Sequence, residues 1–213
     1  MAQLWVIRHG QASFGAENYD KLSELGHLQS QALGAWFERM GWAPDRVITG
    51  TMTRHDETRG AMGLARSETH EGFNEYDFAD LLAARYGGAM PAQVKGDRKA
   101  HFRALRDTVL MWQRGELDGV RESWTEFSDR VEKARLFACQ GGSKHVLVIS
   151  SGGVIGALVA RCLEAPAKMM MTLNLQVKNT SITRFVFSGE RMSLDGFNAA
   201  PHIDDQPELL SYS

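Results

Sequence analysis

Cysteine is scarce in this chain, with two in 213 residues. Cys139 and Cys162 fall in segments with helical patterning and lack the spacing of a metal-ligand set. They read as reduced structural residues, the state expected in the cytoplasm. Long apolar runs are also missing, and none approaches the ~20 residues of a membrane span. Charge of one sign is not in excess: 24 Lys and Arg face 26 Asp and Glu, for a net charge of −2. A global basic field for nucleic acid is therefore excluded, and any anion site has to be local. The start of the chain shows no basic segment followed by an apolar signal core. No internal repeat or low-complexity tract occurs. The length fits one domain over residues 1–213, and 43% hydrophobic with 23% charged residues is ordinary for a soluble globular protein. The expectation is a cytoplasmic protein without membrane or nucleic-acid partners.

Against this plain background two segments carry chemistry. Residues 4–10 read Leu-Trp-Val-Ile-Arg-His-Gly. Four apolar residues form a buried strand that runs into a cation, an imidazole and a glycine. In an open α/β sheet, ligands bind at that C-terminal end. Arg8 offers a planar fork of donors to an anion. Neutral His9 is a base or nucleophile near pH 7. Gly10 allows close approach to a ligand or a turn with positive φ. Residues 145–163 repeat the pattern: an apolar strand, then Ser150-Ser151-Gly152-Gly153, then a helix. A helix opening on glycines exposes backbone donors that attract phosphate, although Ser and Gly are also ordinary N-caps.

Between these segments the patterning gives a strand at 3–8, a polar loop at 11–21 and a helix with N-cap Ser23. That helix has a stripe at Leu25, Leu28, Ala32, Trp36 and Met40, expected as its buried face, and stops at Gly41. A strand at 46–49, a helix at 51–64 and a short strand at 68–71 follow. Residues 72–142 lose the strand–helix rhythm and read as a helical insertion. It holds a helix at 101–114, a second opening on the Ser123-Trp124-Thr125-Glu126 capping box, and a loop at about 85–98. Trp112 and Trp124 are expected as buried anchors, with a place at the site entrance as the alternative. A β-branched strand at 180–187 and a partner at 192–197 form a hairpin, and the tail from Pro201 reads as irregular. The expected fold is α/β: a three-layer sandwich with a mostly parallel central sheet flanked by helices, a helical insertion and a C-terminal β-hairpin.

Arg54, in the first turn of the helix after the second strand, is a third piece. A cation there sits against the positive helix end, a conflict that a bound anion removes. Taken in order, these segments resemble the histidine phosphatase superfamily, the phosphoglycerate mutase-like proteins. Arg8-His9-Gly10 resembles its Arg-His-Gly motif, and Leu22 to Gln29 resembles its Leu-Thr-x-x-Gly-x-x-Gln helix start. Thr51 to Thr58 is similar to its Ser/Thr-x-x-x-Arg-x-x-x-Thr segment. Phe73-Asn74-Glu75 looks like the segment carrying its acid, and Ser150 to Gly153 like its Ser-His-Gly-Gly turn. The resemblance implies a phosphatase that needs neither metal nor other cofactor. His9 would attack phosphorus and form a phosphohistidine. Arg8 and Arg54 would bind the phosphoryl oxygens together with Ser151 and Gly152, and Glu75 would act as general acid. The partner implied is a small-molecule or protein phosphate ester.

Two positions depart from the family pattern. Ser151 stands where the family has its second histidine, and it supplies one neutral hydroxyl instead of an imidazole. Losing one positioned donor costs about 10²–10³ in rate, so reduced activity is expected and Ser151→His is expected to raise it unless neighbours have adapted to serine. Glu57 stands where the family commonly has an amide. His145 begins the strand at the far end from the pocket. His55 is expected to lie exposed on its helix, with approach to the pocket as the alternative. A catalytically silent phospholigand-binding or scaffold protein is the competing reading, and a phosphomutase a weaker one.

Overall fold

The computed structural model describes residues 1–13, 20–88 and 98–212. Its strands are β1 (Ala2–Arg8), β2 (Arg46–Thr49), β3 (Glu68–Thr69), β4 (His145–Ser150), β5 (Ile182–Ser188) and β6 (Arg191–Ala199). Its helices among the described residues are α1 (Glu24–Met40), α2 (Thr53–Ala61), α3 (Phe78–Tyr86), α4 (Arg98–Gln113), α5 (Trp124–Cys139), α6 (Gly152–Cys162) and α7 (Met169–Asn174). The six strands form one sheet in the order β3-β2-β4-β1-β5-β6. The first four in that order run parallel, while β5 is antiparallel to β1 and turns back as a hairpin with β6.

The uninterrupted apolar runs of β1 and β4 follow from burial on both faces. Side chains alternate across the sheet. Leu4, Val6, Ile48, Val146 and Val148 join Phe127 and Val131 of α5 and Ile155 and Leu158 of α6 in one core. Trp5, Ile7, Leu147 and Ile149 join Leu33 and Phe37 of α1 and Met62 in the other. Helices thus cover both faces, as the expected three-layer arrangement requires.

Local signals mark the helix ends. Ser23 Oγ accepts from Gly26 N at 3.1 Å, and Gly41 closes α1 at φ 61°. Ser123 and Glu126 form a reciprocal capping box at α5. The buried face of α1 is turned from the expected stripe: Gln29, Leu33 and Phe37 are buried, while Leu28 and Met40 are exposed. Some boundaries also differ from the sequence reading. The α2 helix begins at Thr53, with Met52 before it as N-cap in extended backbone (ψ 142°), and the Thr51 N–H donates to Asn74 Oδ1 at 2.7 Å. The β3 strand stops at Thr69 because Glu71–Phe73 forms a 3-10 turn. The tail is not irregular throughout: 3-10 turns at Pro201–Ile203 and Pro207–Leu209 bury Ile203 and Leu209 against Leu25 and Ala32. The α3 helix reaches Tyr86, and most of the loop expected at 85–98 lies outside the described residues, as do residues 14–19 of the loop at 11–21. Trp112 is 2% exposed, with ring centroids 5.3 Å from Trp124 and Phe127 and 5.4 Å from Tyr76, so it is an anchor.

Candidate active site

The parallel strands end at a common edge. Arg8 registers with Ser150, and Thr49 with Ile149. The helices that follow β2 and β4, α2 and α6, open at this edge and direct their positive N-terminal ends toward it. Just beyond β1, the backbone of His9 is clamped from two sides. Its N–H donates to Ser150 O at 2.9 Å, and its carbonyl accepts from Asn179 Nδ2 at 3.1 Å. The next N–H, of Gly10, donates to Thr58 Oγ1 at 3.0 Å, and that hydroxyl donates to Arg54 O at 2.7 Å. Thr58 therefore ties the chain after His9 to the turn carrying Arg54. Gly10 makes no turn with positive φ, and a Cβ there would lie 2.4 Å from Gly26 O. It is glycine because α1 passes that close.

Arg8, His9 and Arg54 are 8%, 5% and 5% exposed. His9 Nδ1 lies 2.6 Å from Gly10 O. A carbonyl oxygen only accepts, so the proton sits on Nδ1 and Nε2 presents its lone pair. Arg54 Nε donates to that lone pair at 3.2 Å. Burial, then the charges of Arg54 and Arg8, hold the His9 pKa well below its ordinary value. These causes favour the neutral ring over the imidazolium. Arg8 Nη1 donates to Val177 O. Arg54 Nη1 pairs with Asp20 Oδ1 at 2.8 Å, while Asp20 Oδ2 accepts from Thr53 N at 2.8 Å. A carboxylate of the chain thus sits at the α2 N-terminus and on the arginine. Nothing in the sequence around Asp20 signals that pairing.

Glu75 reaches the same edge from the other side of the sheet. Ser150 Oγ donates to Phe73 O at 2.7 Å, and Arg130 Nη1 donates to Asn74 O at 2.8 Å, which fixes the backbone on either side of the turn. Glu75 Oε2 accepts from Gly153 N at 2.9 Å in the first turn of α6. A Cβ on Gly153 would lie 2.2 Å from Glu75 Oε1, so that glycine makes room for the carboxyl group. Burial raises the Glu75 pKa, and the Gly153 N–H and the charges of Arg54 and Arg8 only partly oppose it. Gly152 adjoins Arg8, with its Cβ position 3.6 Å from Arg8 Cζ. Arg8, His9, Arg54, Glu75, Ser151 and Gly152 are thereby gathered at one sheet edge, whereas His145 is exposed at the opposite end of β4.

His55 corrects the sequence reading. It is not an exposed helical residue: it is fully buried, with Nε2 2.8 Å from Ser151 Oγ and its ring centroid 5.7 Å from that of His9. The first turn of α2 is enclosed on both sides because it enters the sheet edge, so adjacent residues Arg54 and His55 are both buried. The gain expected from Ser151→His needs space beside Ser151, and His55 fills that space. Glu57 Oε2 accepts from Leu22 N at 2.7 Å and secures the end of the loop before α1. Among the described residues no group of three or more His, Cys, Asp or Glu could hold a metal ion. No described helix is long and apolar enough to cross a membrane.

This sheet, with a buried Arg-His pair at its edge, defines a phosphate-handling α/β class, and the chain belongs to the histidine phosphatase superfamily, branch 1, whose model matches residues 4–200. Similar solved structures include a phosphoserine phosphatase from Entamoeba histolytica in complex with 3-phosphoglyceric acid, at 21% identity and TM-score 0.69, covering 95% of this chain and 100% of that one. A putative alpha-ribazole-5'-phosphate phosphatase from Escherichia coli has 23% identity and TM-score 0.69 over 93% of this chain and 97% of its own. A mycobacterial glucosyl-3-phosphoglycerate phosphatase in complex with inorganic phosphate has 22% identity and TM-score 0.65 over 96% and 100%. No curated protein matches the chain.

Proposed function

We propose that the protein is a phosphatase that hydrolyses a phosphomonoester through a phosphohistidine at His9, without metal. The observation that carries this reading is the tautomer of His9: Nδ1 is committed to Gly10 O, and Nε2 faces the guanidinium of Arg54. When substrate enters, Arg54 and Arg8 exchange their internal acceptors for phosphoryl oxygens and balance the charge of the transition state. The Nε2 lone pair forms the N–P bond as the ester P–O bond breaks, and Glu75 gives its proton to the departing oxygen. Water then attacks phosphorus, the N–P bond breaks, and Glu75 takes a proton back. A pure binding module needs neither the nucleophile nor the acid, which supports the enzyme reading over a silent one.

The similar structures are named for small organic phosphomonoesters, which supports a small-molecule substrate in preference to a phosphoprotein. Ser151 supplies a neutral hydroxyl where the family has an imidazole, so turnover on generic phosphomonoesters is modest. The test is hydrolysis of p-nitrophenyl phosphate and a metabolite panel with EDTA present. Activity should survive chelation and be lost in His9→Ala. A His9→Ala protein that keeps most of the parent rate contradicts the assignment.

A further inference from the structure

The His55 ring is placed with more care than a core residue needs. It is fully buried, it is held by a single hydrogen bond, to Ser151 Oγ at 2.8 Å, and its Nδ1 has no hydrogen-bond partner. The position of a Cβ on Gly50 would be 2.3 Å from Nδ1, so that side of the ring is closed by backbone. An apolar residue of the same size would fill the space without leaving a buried polar atom unpaired. Ser151 itself is fully buried and precedes α6, yet its hydroxyl makes no capping bond. Both side chains are therefore diverted from their ordinary roles and toward each other, beside His9.

The direction of the bond follows from the orphaned atom. If Ser151 donated to Nε2, the proton of the neutral ring would sit on Nδ1, as a buried N–H with nothing to receive it. If Nε2–H donates to Ser151 Oγ, Nδ1 carries only an unshared lone pair, the less costly orphan. Ser151 then keeps its own proton for another acceptor. Burial and the charge of Arg54 hold the His55 pKa well below its ordinary value, so the ring stays neutral.

We propose that His55 is a positioning residue for phosphoryl transfer: its Nε2–H holds the Ser151 hydroxyl so that the hydroxyl proton is left for a phosphoryl oxygen at His9. The pair acts as one relay of two donors, and charge developing on phosphorus polarises both bonds in the same sense. The imidazole reaches the pocket from α2, one residue beyond Arg54, and acts through serine rather than on the phosphoryl group itself. This role rests on the phosphatase reading above.

Its test is a double-mutant cycle on the full chain. Ser151→Ala removes the hydroxyl, His55→Leu removes the donor while filling the space, and His55→Gln keeps an N–H donor in its place. Two quantities are read for each variant: kcat and KM on p-nitrophenyl phosphate, and the Kd of orthovanadate by calorimetry. Ser151→Ala and His55→Leu should each lower kcat about ten- to hundredfold with KM little changed, and weaken vanadate by a similar factor. The double variant should lose no more than either single one, because a relay fails as a unit. His55→Gln should recover most of the loss. Parent-like kcat and vanadate affinity in His55→Leu, multiplicative losses in the double variant, or a His55→Gln protein no better than His55→Leu would each overturn the proposal. The vanadate arm separates the two readings. If the parent shows no His9-dependent hydrolysis, the phosphatase reading fails, while equal and non-additive losses of vanadate affinity still support the relay and unchanged affinity still defeats it.

Discussion

The C-terminal edge of the sheet and the helices from Tyr76 to Cys139 bury opposite kinds of side chain. At the edge, two guanidinium groups and two imidazoles are buried, those of Arg8, Arg54, His9 and His55, with the carboxyl group of half-buried Glu75 beside them. In the helices, the interior is Trp112, Phe127 and Val131 packed with Tyr76, and the buried Arg135 is paired with Glu132. Apolar burial there is favourable by itself. At the edge, each group costs free energy unless it is hydrogen-bonded, and the chain supplies stand-in partners: Gly10 O for His9, Val177 O for Arg8, Asp20 for Arg54 and Gly153 N for Glu75. On the proposed reading the edge is an anion site whose arginines hold acceptors of the chain, Val177 O on Arg8 and Asp20 on Arg54. On that reading, an entering phosphoryl group displaces those partners.

The contrast predicts that substitutions at the edge change rate, and substitutions in the helices change stability. After the complete loss expected in His9→Ala, the largest effect is expected at Glu75. Glu75→Gln should lower kcat by about 10²–10⁴, the usual contribution of a positioned acid. It should also alter the pH profile. His9 is held below its ordinary value of 6.5, so the neutral nucleophile persists below that pH and the acid limb of the parent lies there. Glu75 is raised above its ordinary 4.5, so its proton is lost, and the basic limb begins, above that value. In Glu75→Gln the basic limb should vanish, whereas an unchanged profile would assign the acid elsewhere.

Arg54→Ala should have a smaller effect, about tenfold or more on inhibition by phosphate or vanadate, as for the loss of a charge-assisted hydrogen bond. Inhibition constants measured in parallel on Arg54→Ala and the parent give that ratio, and an unchanged constant would remove Arg54 from the phosphate site. In the helices, Trp112→Ala should cost about 3–5 kcal/mol of stability, as large buried aromatics do. Denaturant titration measures it. A loss below 1 kcal/mol would mean that Trp112 is no anchor.

The same contrast explains what was legible in the sequence. Strands β1 and β4 were, because continuous apolar runs that end abruptly in Arg-His or Ser-Ser admit few other readings. Ser23, Gly41 and the Ser123 capping box were legible because caps are local chemistry. The position of Arg54 was legible, but not the burial of His55. Helical periodicity assigns adjacent residues to different faces, and only the entry of α2 into the sheet edge encloses both. Asp20 was hidden for a related reason: a loop carboxylate reveals its partner only once the loop is folded against α2. The close approach of α1 at Gly10 is likewise a tertiary event, which the glycine records without naming its cause.

The central claim is the covalent step at His9. The most direct measurement is rapid quenching under alkaline conditions during turnover of p-nitrophenyl phosphate, followed by mass spectrometry of the peptide containing His9. One phosphoryl group is expected on His9, accumulating during turnover, decaying as substrate is exhausted and absent in His9→Ala. A quenched protein that turns over substrate yet carries no phosphoryl group, or carries it on Ser151 instead, would contradict it.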